Sequence, residues 1–173
     1  MAVYKETIEL YSHGGTPTYI NITPQVRAAI GKSGIREGIC AVISPHTTCA
    51  VFFEEFVHDF NEDGDEFLQE DLNNVLAKII PDQVAEGIYR YPGDKHYEDV
   101  LSWPDWETYL PGGDRKNLWN GDAHLKATMI GSSEVLDVTG GTLGVGETGY
   151  VYFVDFDRTR ERKRKCSITV IGE

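Results

Sequence analysis

The chain has 173 residues, 40% of them hydrophobic and 11% aromatic, enough for one domain with a substantial core. Its formal charge of −12 opposes a polyanion, and no run approaches the roughly 20 apolar residues of a membrane span, so neither a nucleic acid nor a membrane is expected as a partner. The opening Met1-Ala2-Val3-Tyr4-Lys5-Glu6 has no secretory apolar region, and the expectation is a soluble, cytoplasmic protein. From Val3 to Tyr11 polar and apolar residues alternate, with Tyr4, Glu6, Ile8 and Leu10 on one side, the pattern of a half-buried strand. His13-Gly14-Gly15 marks a turn, and Thr18 to Ile22 reads as an antiparallel return. Thr23-Pro24 then starts a helix, with Thr as N-cap and Pro at the first helical position. Val26, Ala29 and Ile30 give it an apolar face, and Gly31 and Gly34 end it.

The run Ile39-Cys40-Ala41-Val42-Ile43 is continuous and apolar, as in a strand buried on both faces. Pro45 breaks it, so His46, Thr47 and Thr48 are presented at a strand end. Ala50 to Phe53 resumes the apolar run, and Glu54-Glu55 closes it. An acidic stretch from Asp59 to Glu66 can cap the following helix, whose stripe is Phe67, Leu68, Leu72, Val75, Leu76 and Ile79. Asp63-Gly64-Asp65 carries only a fragment of a calcium-loop pattern. From Asp82 to Asn120 there is no clear period but many Tyr and Trp residues, which suits a functional loop or lid folded over a ligand pocket, the core or a neighbouring subunit. Asp122 can cap a short helix over Ala123 to Ile130, with His124 in its first turn and Gly131 at its end. The remainder reads as an antiparallel meander: Glu134 to Val138, a Gly140-Gly141 hairpin, Leu143 to Val145, Tyr150 to Phe156, and Cys166 to Ile171.

Three cysteines, Cys40, Cys49 and Cys166, are odd in number and widely spaced, and are expected as buried free thiols. Residues 158 to 165 hold six of the sixteen basic residues and a single acid. The expectation there is a solvated hairpin facing the acidic body or a neighbouring subunit, with phosphate gripping as the alternative. Of five histidines, His13 and His58 read as surface residues. His46, His96 and His124 stand near carboxylates, hydroxyls or a lysine, and three imidazoles can hold a metal ion with an open position or bind phosphate when protonated.

Several of these segments together resemble the YjbQ family. In the first half they are Ile22-Thr23-Pro24-Gln25-Val26, Ser33 to Gly38, His46-Thr47-Thr48-Cys49-Ala50 with Glu55 nine residues on, and Asp71-Leu72. In the second half they are Ala123-His124-Leu125-Lys126-Ala127, Gly131-Ser132-Ser133 and the closing Ser167 to Glu173. The resemblance implies a single α+β domain over residues 1–173 with a largely antiparallel or mixed, sandwich-like sheet, two or three helices and an aromatic-rich insertion at about 82–120. It also implies a homotrimer and a relation to secondary thiamine-phosphate synthases, which join a pyrimidine diphosphate to a thiazole phosphate. Carried onto this sequence, His46, His124, Glu55 and Asp71 become the expected catalytic residues. Thr47, Thr48, Lys126 and Ser132 become phosphate donors. His46, His96 and His124 are the expected ligands of a divalent ion, zinc or magnesium. The family's Gly-Thr-Trp-Gln segment is Gly146-Glu147-Thr148-Gly149 here, so a ring-stacking Trp and a Gln are missing. The expected function is an enzyme acting on a phosphorylated small molecule, with a metal-dependent hydrolase or a non-catalytic trimeric ligand-binding protein as alternatives.

Overall fold

A computed structural model describes residues 1–173. The strands are β1 (Ala2–Ser12), β2 (Thr18–Asn21), β3 (Gly38–Ile43), β4 (Cys49–Glu55), β5 (Ser133–Thr139), β6 (Thr142–Leu143), β7 (Gly149–Asp155) and β8 (Arg162–Gly172). The helices are α1 (Thr23–Ser33), α2 (Phe67–Ile79), α3 (Asp94–Leu101), α4 (Trp106–Tyr109) and α5 (Gly121–Ile130). Short 3-10 turns at Pro111–Gly113 and Arg115–Leu118 join α4 to α5.

All strand pairs are antiparallel, in two sheets ordered β1-β8-β3-β5-β6 and β2-β7-β4. Because successive side chains of a strand point to opposite faces, β7 and β4 can feed two cores at once. Val51, Val151 and Phe153 face the larger sheet and α1, joining Cys40, Val42, Ile168, Val170 and Val26 in the main core. Their neighbours Ala50, Phe52, Tyr152 and Val154 face α2 and α5, meeting Leu76, Ala123 and Ala127. The small sheet is therefore a middle layer between the larger sheet and two helices, an α+β domain in which the sheets pack as a sandwich.

The structure changes several sequence expectations. β3 is buried on one face only: Cys40 and Val42 are inside, whereas Ile39 and Ile43 are 45% and 41% exposed, because nothing covers the outer face of the larger sheet. β2 pairs with β7 in the other sheet and not with β1, whose whole length is taken by β8. The last strands are consequently no meander; β7 crosses to the small sheet, and β8 returns between β1 and β3. Thr23 does not cap α1, since its hydroxyl exchanges hydrogen bonds with the Val151 backbone. Asp122 lies inside α5 and caps nothing. Five helices are present instead of two or three, two of them in the stretch that lacked a period. That stretch has its own small core of Tyr97, Val100, Leu110 and Leu118, with Trp103, Trp106 and Tyr109 against it.

Other expectations hold. Glu66 caps α2 through a reciprocal capping box with Gln69, so the acidic run does start that helix. Gly140 and Gly141, both at positive φ, close the two-residue β5–β6 hairpin. The three thiols are free and buried.

Candidate functional site

The chain leaves β3 in the larger sheet and enters β4 in the small one, and Pro45 sits in that crossing. Ser44 N–H donates to the Ser132 carbonyl (2.8 Å), His46 N–H to Ser44 Oγ (3.2 Å), and Cys49 N–H to the His46 carbonyl (3.1 Å). These bonds fix His46, Thr47 and Thr48 at the open end of the gap between the sheets. The Lys165 amide at the start of β8 donates to His46 Nε2 at 2.8 Å. With that lone pair engaged, the neutral ring carries its proton on Nδ1. Burial, and then the nearby Arg164 and Lys165, pull the His46 pKa down against the pull of Asp155, so the ring is neutral near pH 7.

His124 reaches the same place from the start of α5. Its pKa is also lowered, chiefly by burial, with a backbone contact to Thr47 acting in the other direction. Tyr91 Oη lies between two imidazoles, 3.1 Å from His96 Nε2 and 3.5 Å from His124 Nε2. A phenol flanked in this way donates to one ring and accepts from the other. Burial pushes Tyr91 up to about 12, so it keeps its proton at neutral pH. His96, Tyr91 and His124 form a short hydrogen-bonded chain.

The basic run supplies the opposite wall. Arg160, Arg162 and Arg164 line a cavity of about 290 Å³ together with His46, Tyr91 and His124. Arg164 is held by Asp155 (2.7 and 3.2 Å) and also donates to Thr48 Oγ1 (3.1 Å). Arg162 pairs with Asp157 at 2.9 Å. Burial alone would raise Asp157, but Arg162 and bonds from Thr159 and Asn120 hold it below the usual carboxylate range. Arg160 is different. Its Nη1 donates to the Asn117 carbonyl at 3.2 Å, no carboxylate pairs with it, and its Nη2 is buried without a partner. Arg162 Nε and Asn120 Oδ1 are also buried and unpartnered. Burial, with Arg162 and Arg164 close by, lowers Arg160 to about 10, which leaves it charged at neutral pH. A half-buried guanidinium with a spare buried donor and no carboxylate in direct contact, Asp157 acting on it only from a distance, is what an anionic ligand would complete.

The 158–165 run does face the acidic body, through Arg158 on Asp82 and Asp122, Arg162 on Asp157 and Arg164 on Asp155, but it is not solvated throughout, because the alternation of β8 turns Arg162 and Arg164 inward. Of the residues singled out from sequence, His46, His96, His124, Thr47 and Thr48 do come together at this cavity. Ser132 lines an adjoining cavity of about 490 Å³ on the other side of His46 and Thr47. Glu55 ends β4 and is exposed, six residues and so about 20 Å along the strand beyond Cys49, and it lines neither cavity. Asp71 is exposed on α2 and lines neither cavity. Lys126 turns away and is spent on Asp82 (2.6 Å) and Asp122 (3.3 Å). Sequence reading missed Tyr91, Asn120, Asp155 and Asp157; it reached the three arginines only through the phosphate-gripping alternative for the 158–165 run, and the alternation of Arg160, Arg162 and Arg164 was the signal that could have singled them out.

The donor set does not suit a metal centre made of His46, His96 and His124. His46 offers no free lone pair, since Nε2 accepts from Lys165 and Nδ1 holds the proton. His96 and His124 share Tyr91 between their Nε2 atoms. No three His, Cys, Asp or Glu side chains converge as metal ligands would.

Fold and site thus define a two-sheet α+β domain that collects imidazoles, a phenol and guanidinium groups in the gap between its sheets. The family model described as "UPF0047 protein YjbQ-like" matches residues 6–173, and the chain belongs to that family. Among its relatives, a UPF0047 protein of Archaeoglobus fulgidus is 31% identical over 83% of this chain and 85% of its own. UPF0047 protein YugU of Bacillus subtilis is 27% identical over 88% and 89%. A crystal structure of an uncharacterised YjbQ/UPF0047 protein from Clostridium acetobutylicum superposes with a TM-score of 0.65 at 27% identity, covering 95% of this chain and 99% of that one. A YbjQ-like protein of unknown function from Sulfolobus solfataricus gives a TM-score of 0.66 at 23% identity, with 99% of each chain covered.

Proposed function

We propose that the protein is an enzyme acting on a phosphorylated small molecule. The observation that carries this reading is Arg160, a half-buried cation whose Nη2 is buried without a partner and which no carboxylate pairs, set in one cavity with two neutral histidines and Tyr91. Arg160 Nη2 and Arg162 Nε would take phosphoryl oxygens, with Thr47 as a further donor. His124, neutral and bonded to Tyr91, is suited to accept a proton, and His46, its tautomer fixed by Lys165, to donate a hydrogen bond from Nδ1. In the synthase reaction associated with the family, a pyrophosphate leaves as the thiazole nitrogen attacks, and fixed guanidinium groups would stabilise the departing charge. The metal-dependent hydrolase reading finds less support, because His46 would first have to release the Lys165 amide.

A homotrimer remains part of the proposal. The uncovered face of the larger sheet supports it: Val3 and Ile39 flank Ile171 in one cross-strand row, and Val3 and Val135 are 67% and 63% exposed. Such a face is more apolar than a lone subunit needs.

The test follows product formation from the pyrimidine diphosphate and thiazole phosphate by chromatography, alongside pyrophosphate binding by titration calorimetry. His124→Ala should lower turnover about 100-fold or more while pyrophosphate still binds. Arg160→Ala should weaken pyrophosphate binding about tenfold or more. Full turnover in both His46→Ala and His124→Ala would mean that the site lies elsewhere. Elemental analysis is expected to find no stoichiometric ion whose retention depends on His46.

A further inference from the structure

Four residues of the 94–118 segment, Val100, Trp103, Tyr109 and Leu118, line the same cavity as the arginines. We infer that this segment is the specificity element of the site: its aromatic face receives an aryl or similarly flat apolar group on the substrate, while Arg160 holds that substrate's phosphoryl group. The inference rests on the proposed phosphoryl site and its ring-bearing phosphorylated substrates, and adds to them the segment and side chains that would meet the ring.

Three features carry it. Trp103 and Tyr109 meet edge to face with ring centres 5.0 Å apart, and each is only partly covered by the segment's own core. Val100 and Leu118 behind them are fixed in that core, so the face is braced and not a mobile surface loop. The segment is also tied to the anion site itself, since the Asn117 carbonyl accepts from Arg160 Nη1. An anion alone needs no apolar wall, and burying a lone apolar group needs no guanidinium. A cavity with both fits a ligand that has an anionic end and a flat apolar body.

The experiment is calorimetric titration of the intact protein with inorganic phosphate, methyl phosphate and phenyl phosphate. Phenyl phosphate is expected to bind about tenfold more tightly than methyl phosphate. Trp103→Leu keeps apolar bulk and removes the ring. It should bring that ratio to about twofold or less, with methyl phosphate binding unchanged within about twofold. Tyr109→Leu serves as the second variant should Trp103→Leu fail to give the parent's circular dichroism spectrum. Equal binding of the two esters by the parent would overturn the inference while leaving the phosphoryl site standing. A preference for phenyl phosphate surviving in the folded variants would do the same. Failure of all three probes to bind would overturn the phosphoryl site and this inference with it.

Discussion

Glu54, opposite Tyr150 on the small sheet, is a carboxyl with a buried and unpartnered Oε2 beside the buried Glu66. Burial first, and then the charge of Glu66, push its pKa up to about 7 from an ordinary 4.5. A carboxyl raised in the folded state binds more protons there than in the unfolded chain. Its contribution to stability is therefore complete below about 4.5 and is lost as pH rises through about 7. Glu54→Gln fixes the neutral form, so thermal unfolding should show the variant more stable than the parent at pH 8, with the gap closing toward pH 5. A parent less stable at pH 5 than at pH 8 on this account would count against the assignment. At the site, Asp155 is fully buried and holds Arg164 through two bonds. Asp155→Asn would remove that cation's two hydrogen-bonded carboxylate contacts, leaving only Asp157 at 3.8 Å, and should cost about 3 kcal/mol in urea unfolding. It should also weaken anion binding, because Arg164 would no longer be fixed.

Among the elements, β3 and β8 place the site. Gly38 and Gly172 face each other across this pair, and a Cβ on Gly38 would collide with the Ile171 carbonyl and the Gly172 backbone. Neither partner can yield, since both belong to the ladder. Gly38→Ala should therefore cost about 2–3 kcal/mol by chemical denaturation, well above the ordinary helix or loop substitution. The same pair explains why the 158–165 run misleads on composition. Six basic residues read as a solvated stretch, but once Arg162–Gly172 is a strand, its alternation turns Arg162 and Arg164 inward and leaves Lys163 and Lys165 outside. Which face is the inner one depends on a partner strand, β1, whose pairing joins the two ends of the chain.

For the whole molecule, the proposed trimer would cover the apolar outer face of the larger sheet. Light scattering on the purified protein should give about three times the 19.4 kDa chain mass. Val135→Glu, on the β5 side of that face and outside the lining of the cavity, should shift the mass toward that of one chain. A parent of single-chain mass would refute the trimer without touching the site.

What the sequence determined by itself was local or motif-borne. The β1 alternation, the Pro24 and Glu66 helix starts, the Gly140-Gly141 hairpin and the break at Pro45 each depend on a few adjacent residues, and each formed where the pattern placed it. His46, His96 and His124 were legible for the same reason, as chemically marked residues at expected ends of elements. Glu55 and Asp71 were carried over with them, but a strand's rise and a helix's outward face set them apart from the histidines. The choice of sheet for β2, β4 and β7, the inward turn of Arg160, Arg162 and Arg164, and the place of Tyr91 between two imidazoles belong to the tertiary structure alone. Those positions follow from pairings between distant residues, such as Glu9 with Lys165 and Cys49 with Asp155, which no local pattern encodes because register is settled by the burial of whole faces at once.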